Sequence, residues 1–238
     1  MFDHVQIRVS DREASERFYD TVLSVLGKPR SGDEDYTQWG DFDIGWDGPP
    51  TRHLHVGFYA PTHELVDAFH RTGVEAGYRS DGEPGPRPQY TPEYYGAFLL
   101  DPDGNSIEAV SLESERRPGQ IDHLWLRTRD VAAATAFYAT IAPVVGLEVR
   151  AHSADHVQLA GDGLSFSFIA GEPLTEGVHI AFPVQDNATV EAFHKTAVDA
   201  GYRDNGGPGE RAVYHPGYYG AFVLDPDGHN IEAVNHNR

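Results

Sequence analysis

The sequence predicts an α+β protein of four βαβββ units with curved mixed sheets, grouped as two tandem repeats. Three observations carry this. The second half repeats the first: Asp3-His4-Val5 returns as Asp122-His123-Leu124, and His55-Val56-Gly57-Phe58 as His179-Ile180-Ala181-Phe182. Within each repeat, short alternating segments surround two stretches of helical periodicity. Each repeat also closes on a strand–turn–strand signature, Tyr94-Tyr95-Gly96-Ala97-Phe98 through Val110 and Tyr218-Tyr219-Gly220-Ala221-Phe222 through Val234. Internal repetition is read first because it fixes the architecture.

The elements follow in order. Residues 4–9 alternate as a half-buried strand. Ser10 and Glu13 have capping-box spacing, so a helix starts near Asp11, with Ala14, Phe18, Val22 and Val25 inward and Gly27 as its stop. Short strands separated by polar turns run to Gly45, and another strand spans 53–59. A second helix is expected over 62–76, with Leu65, Phe69 and Gly73/Val74 inward and Gly77 ending it. The closing hairpin pairs 95–100 with 106–112 around Asp101-Pro102-Asp103-Gly104-Asn105, where Pro presets φ and Gly permits a positive φ. Repeat two follows the same plan, with Asp130 as N-cap and Gly146 and Gly201 as helix stops. The offset between repeats is 119 at His4/His123 and 124 from His55/His179 onward, which puts a five-residue insertion between Gly146 and His179. The charged, turn-rich stretch 113–120 reads as a linker between domains 1–112 and 121–238.

Composition narrows the function. The chain has 238 residues, enough for two domains with real cores, and a formal net charge of −19. Phosphate surfaces must be met by Lys and Arg, so neither a nucleic acid nor an anionic membrane is an expected partner. The absence of cysteine excludes disulfides, thiolate zinc sites and cysteine nucleophiles. No secretory pattern opens the chain and no apolar run approaches a membrane span, so a cytoplasmic protein is expected. The loops at Gly82-Glu83-Pro84-Gly85 and Gly206-Gly207-Pro208-Gly209 lack the strand-to-helix setting of a phosphate loop.

Both repeats retain a His…His…Glu set, and two imidazoles with one carboxylate suit a divalent ion while leaving positions open for substrate. Together with Phe18-Tyr19, His55-x-x-Phe58 and the Tyr-Tyr-Gly-Ala-Phe…Asp-Pro-Asp-Gly…Ile-Glu-Ala-Val ending, the chain resembles the vicinal oxygen chelate superfamily, the glyoxalase/bleomycin-resistance/extradiol-dioxygenase fold. The resemblance implies two glyoxalase-like domains. It also implies metal ligands at His4, His55 and Glu108 in repeat one and at His123, His179 and Glu232 in repeat two. The sequence leaves open whether the sets form within a repeat or exchange members. At the fourth family position stand Asp43 or Ile44, and Ser165 or Ser167, rather than the Glu of glyoxalase I-like enzymes. Mn, Fe(II), Ni, Co and Zn all suit such a ligand set.

Further candidates are His215 as a general acid/base and Tyr95 and Tyr219 as partners of a bound oxyanion. His215, His229 and His236 occur only in repeat two; Thr91 matches His215. The resemblance points first to a metal-dependent lyase or isomerase acting on a small oxygenated substrate. An extradiol-type dioxygenase is the second reading, although Phe222 stands where its signature places a Tyr. A metal-free drug-binding protein is the third. A monomer of two pseudo-symmetric repeats and a homodimer are both compatible with the tandem layout.

Overall fold

A computed structural model describes residues 2–32, 34–113, 116–161 and 164–238. Two residues of the expected linker, 114 and 115, lie outside them. The first half runs β1 (His4–Arg8), α1 (Arg12–Val25), β2 (Ser31–Gly32), β3 (Thr37–Trp39), β4 (Phe42–Gly45), β5 (His55–Tyr59), α2 (His63–Glu75), β6 (Ser80–Pro86), β7 (Tyr95–Leu100) and β8 (Ser106–Ser111). The second runs β9 (Ile121–Thr128), α3 (Val131–Val145), β10 (Glu148–Ser153), β11 (His156–Gly161), β12 (Leu164–Ala170), β13 (His179–Pro183), α4 (Asn187–Asp199), β14 (Arg203–Glu210), β15 (Tyr219–Leu224) and β16 (Asn230–Asn235). This is the expected α+β succession of βαβββ units. The five extra residues of repeat two fall where β10, β11 and β12 have six, six and seven residues, against two, three and four in β2, β3 and β4.

The strands form two eight-stranded mixed sheets, in the orders β14-β15-β16-β13-β1-β4-β3-β2 and β10-β11-β12-β9-β5-β8-β7-β6. The chain divides into two compact units, residues 6–125 and residues 126–238 with 1–5. The division falls inside β1 and inside β9, so each repeat lends the start of its first strand to the other repeat's unit.

In the 6–125 unit, α1 buries Ser15, Glu16, Phe18, Tyr19, Val22 and Leu23. This face is shifted from the expected Ala14/Val25 stripe because Tyr19 and Leu23 share the core side of the helix with Phe18 and Val22. Asp11 caps the helix, its side chain accepting the Ala14 N–H at 2.9 Å. The helix thus begins one residue beyond the Ser10/Glu13 box. In α2 the inward residues are Val66, Phe69, His70 and Gly73, while Val74 is 44% exposed. Gly73 leaves room for the Leu99 side chain, on which a Cβ would press. Phe58, Phe69, Leu99 and Ile107 complete this core, each full burial contributing roughly 1.5–3 kcal/mol.

The β7–β8 turn sets the register that matters for the site. Asp101 Oδ1 accepts the Asp103 and Asn105 N–H groups at 2.9 and 2.8 Å, and Asp101 Oδ2 accepts the Tyr19 hydroxyl at 2.8 Å. Phe98 is thereby paired opposite Glu108. The 126–238 unit repeats the device with Asp225 and Tyr138, at 3.2 Å, and pairs Phe222 opposite Glu232. Among the described residues no helix is long and apolar enough to cross a membrane.

Candidate metal centres

Strand alternation gathers the first cluster. Gly57 on β5 is paired with Glu108 on β8 and with His123 on β9. Paired residues share a sheet face, and His55, two residues before Gly57, lies on the same face. The missing Cβ at Gly57 matters: it would stand 2.4 Å from His123 Cε1. His55 Nε2 lies 3.0 Å from Glu108 Oε2 and 3.1 Å from His123 Nε2, and His123 Nε2 lies 3.3 Å from Glu108 Oε2.

The second cluster sits in the 126–238 unit. His179 Nε2 lies 3.0 Å from Glu232 Oε2, and His4 Nε2 lies 3.7 Å from the same oxygen. Ala181 takes the place of Gly57 and is paired with Glu232. The six residues named from sequence therefore form two clusters, but with the first histidines exchanged. His4 of repeat one joins His179 and Glu232, and His123 of repeat two joins His55 and Glu108. The cause is the division of β1 and β9 between the units.

These donor sets fit a divalent cation. Ligand atoms about 2.1 Å from one ion and at right angles lie about 3.0 Å apart. The His55/Glu108/His123 spacings match that value, and all ligand atoms within each cluster lie within 4.8 Å of one another. The imidazole and carboxylate donors, without sulfur, suit the same ions as the sequence reading.

Glu108 and Glu232 are fully buried. Their outer oxygens are tied down: Glu108 Oε1 accepts the Tyr94 hydroxyl at 2.8 Å, and Glu232 Oε1 accepts that of Tyr218 at 2.7 Å. Gly96 and Gly220 make room, since a Cβ at either would press on that glutamate oxygen, at 2.3 and 2.6 Å. Burial alone would raise the Glu108 carboxyl, but hydrogen bonds and charge from His123 and His55 hold it at about 2. Burial likewise opposes charge on His123, yet Asp122 and Glu108 raise it to about 9. The Tyr94 and Tyr218 phenols are pushed up by burial and by the glutamate beside each.

Behind each first histidine stands an aspartate. Asp122 Oδ1 accepts from His123 Nδ1 at 2.8 Å, and Asp3 Oδ1 accepts from His4 Nδ1 at 2.8 Å. Each therefore fixes the tautomer that turns Nε2 toward the cluster. Asp122 Oδ2 lies 2.8 Å from Arg116 Nη1, whereas Asp3 Oδ2 accepts from His236 Nε2 at 2.7 Å.

The expected catalytic residues fall elsewhere. Tyr95 donates to Asp67 at 2.8 Å and stacks on His63, and Tyr219 donates to Glu191 at 3.1 Å. Both hydroxyls thus turn to the helices, and the tyrosines that reach the clusters are Tyr94 and Tyr218. The signal was parity: residues 94, 96 and 98 share the face of Glu108, and 95 does not. His215 touches no cluster residue. It is half-exposed, with Nδ1 at 2.8 Å from the Pro216 carbonyl and Nε2 at 2.8 Å from His236 Nδ1. At the fourth family position, Asp43 is buried on β4, and Ser167 is buried on β12 with its hydroxyl 3.1 Å from His156 Nε2.

No curated protein matches the chain. Glyoxalase I from Zea mays is similar in fold, with 19% identity, 99% of this chain and 92% of that one covered, and a TM-score of 0.65. A glyoxalase/bleomycin resistance protein from Albidiferax ferrireducens T118 is 35% identical over 48% of this chain and 99% of its own, with a TM-score of 0.42. The Mn(II)-bound glyoxalase from Novosphingobium aromaticivorans is 18% identical, covering 100% of this chain and 82% of that one, with a TM-score of 0.45. The family model described as Glyoxalase/Bleomycin resistance protein/Dioxygenase superfamily matches residues 1–109 and again 120–233. Having two copies of that match, the chain belongs to the glyoxalase/bleomycin resistance protein/dioxygenase superfamily.

Proposed function

We propose that this protein is a divalent-metal-dependent enzyme of the lyase or isomerase type, acting on a small substrate held through two neighbouring oxygens. The observation that supports it is the convergence, twice, of two imidazole nitrogens and a fully buried carboxylate whose second oxygen is already occupied by a tyrosine. A buried carboxylate without a cation is costly, and the imidazoles are presented with Nε2 inward. His4, His179 and Glu232 would hold one ion, and His55, Glu108 and His123 the other. A bound ion of this kind supplies Lewis-acid polarisation of a carbonyl or hydroxyl oxygen.

The chain's own residues do the rest. Tyr94 and Tyr218 fix their glutamates, and Asp3 and Asp122 fix their histidines. Phe98 and Phe222 put an apolar ring 5.8 and 6.0 Å from His55 and His179, restricting water at those imidazoles. Neither Tyr95 nor Tyr219 supports oxyanion binding, given their helix-side partners.

Elemental analysis of tag-free protein tests the reading in wild type, His55→Ala and His179→Ala. Two equivalents in wild type and one in each variant are expected. No metal in wild type, and none taken up with Mn, Fe(II), Ni or Zn, would replace the enzyme with a metal-free binding protein.

A further inference from the structure

The glycine-rich segments read from sequence as loops lie on β6 and β14, and they build the same small structure twice. Gly82-Glu83-Pro84-Gly85 leads to Arg87, and Gly206-Gly207-Pro208-Gly209 leads to Arg211. A Cβ at Gly82 or Gly206 would press on the ring of Phe98 or Phe222, at 2.7 and 3.0 Å from Cδ2. A Cβ at Gly85 or Gly209 would crowd the guanidinium, at 3.1 and 2.9 Å from Nη1. The glycines thus leave room for an arginine laid over a phenylalanine. Arg87 Cζ lies 5.4 Å from the centre of the Phe98 ring, and Arg211 Cζ 5.5 Å from that of Phe222, close enough for cation–π attraction.

The backbone holds each arginine in place. The Arg87 N–H donates to the Tyr94 carbonyl and the Arg211 N–H to the Tyr218 carbonyl, both at 2.7 Å. Nη2 of each donates back to its own strand, Arg87 to the Glu83 carbonyl and Arg211 to the Gly207 carbonyl, both at 2.7 Å. Arg87 Nη1 also donates to the Pro86 carbonyl at 3.2 Å. Carbonyls are neutral acceptors, so the charge is oriented without being neutralised. The chain carries 37 Asp and Glu against 18 Lys and Arg, yet among the described residues no carboxylate pairs with either guanidinium. Most of the five N–H groups of each remain for a ligand. The same two phenyl rings stand 5.8 Å from His55 and 6.0 Å from His179. One aromatic ring therefore separates each guanidinium from an imidazole of its own centre. Pro86 and Pro88 beside Arg87 become Glu210 and Ala212 beside Arg211, while the glycines, the arginine and the phenylalanine recur.

We propose that Arg87 and Arg211 are specificity-determining residues, each receiving a carboxylate of the substrate at its own centre. The substrate class is then a small acid that carries a carboxylate apart from the two neighbouring oxygens held at the metal. Those oxygens fix one end of the molecule and the guanidinium fixes the other. Arginine suits the task because its planar fork meets a carboxylate through two parallel hydrogen bonds, which a lysine cannot do.

The inference rests on the metal reading, and the test keeps the two apart. 2-Oxo acids chelate a divalent ion through the carboxylate and the oxo group beside it, so they serve as probes. Calorimetric titration of Zn2+-loaded protein compares 2-oxoglutarate with 2-oxopentanoate and 2-oxoadipate with 2-oxohexanoate, pairs that differ only in a terminal carboxylate or methyl. His179→Ala keeps the His123 centre with Arg87, and His55→Ala keeps the His4 centre with Arg211. In each chain the diacid of at least one pair should bind more than about tenfold tighter than its monoacid, the scale of hydrogen bonds to a charged group. Arg87→Gln in the His179→Ala chain should abolish that preference while Zn2+ uptake and monoacid affinity are kept, and Arg211→Gln in the same chain should leave the preference in place. The reverse is expected in the His55→Ala chain. An arginine that only braced its strand would, when replaced, weaken diacid and monoacid alike; an unchanged ratio overturns the inference. Equal binding of diacid and monoacid in both parent chains also overturns it and leaves the metal reading intact. Failure of both chains to take up Zn2+ overturns both.

Discussion

Behind His123 the charge sequence is aspartate then arginine; behind His4 it is aspartate, then two histidines reaching a half-exposed ring. In front, Gly57 lets His123 lie 3.3 Å from Glu108, whereas Ala181 stands at the matching place and His4 lies 3.7 Å from Glu232. The rings also meet differently: His55 and His123 stack at 28°, and His4 meets His179 edge-on at 64°. One ligand set, copied within one chain, has thus been given a tighter setting backed by a guanidinium and a looser one backed by two imidazoles. Identical ligands do not make identical sites, because the second oxygen of an aspartate and a single methyl group decide how the imidazole is held.

The comparison breaks most severely if a ligand is removed. Glu108→Gln should cost the His123 centre more than about 100-fold in Zn2+ affinity and leave the His4 centre unchanged, with Glu232→Gln doing the reverse; chelator competition reads both. Gly57→Ala should push His123 out of line, lowering that centre's affinity roughly tenfold toward the His4 value. It should also destabilise the fold by about 1–3 kcal/mol through overpacking, read by urea denaturation. Loss of affinity at the His4 centre instead would show that Gly57 does not set the difference.

Tyr94→Phe and Tyr218→Phe should each cost about tenfold at their own centre by freeing a glutamate oxygen. Tyr95→Phe should alter either centre less than about twofold, because its hydroxyl bonds Asp67 and holds no member of either ligand set. A calorimetric titration of the Tyr95→Phe protein that loses an order of magnitude would restore the role first expected for that residue.

Protons give the smallest and most specific contrast. In the metal-free protein His123, raised to about 9 from an ordinary 6.5, contributes stability that is full below 6.5 and is lost as pH rises through 9. Glu108, held at about 2 from an ordinary 4.5, contributes stability that is full above 4.5 and is lost as pH falls through 2. The thermal midpoint of chelator-treated protein should therefore gain most from this pair between pH 4.5 and 6.5. Because His123 is protonated at pH 7 without metal, Zn2+ binding there should release about one proton, read from calorimetry in two buffers of different ionisation heat.

The repeats, the helix–strand succession and the Asp101–Asn105 turn could all be read from residue order, because they are local and periodic. The six cluster residues were named by resemblance; which histidine joins which glutamate was not, since that depends on β1 and β9 crossing between units. Tyr94 was within reach: the turn fixes the hairpin register, and the register puts 94 on the face of Glu108. Tyr95, one residue on, falls on the opposite face. The roles of His236 and Arg116 could not be read locally. The first pairs with a residue 233 positions away, and the second lies in a segment without periodicity.

That long separation has a consequence for biosynthesis. His55 and His123 are 68 residues apart, so the His123 cluster has all its members once the ribosome has released the first half of the chain. The contact between Asp3 and His236 spans 233 positions, and His4 must wait for Glu232. A chain emerging N-terminus first thus completes the ligand set of His123 before that of His4. An ion scarce in the cell would meet the early, tighter centre first, and nonsense truncation after β9 would leave that ligand set whole and the other without His179 and Glu232.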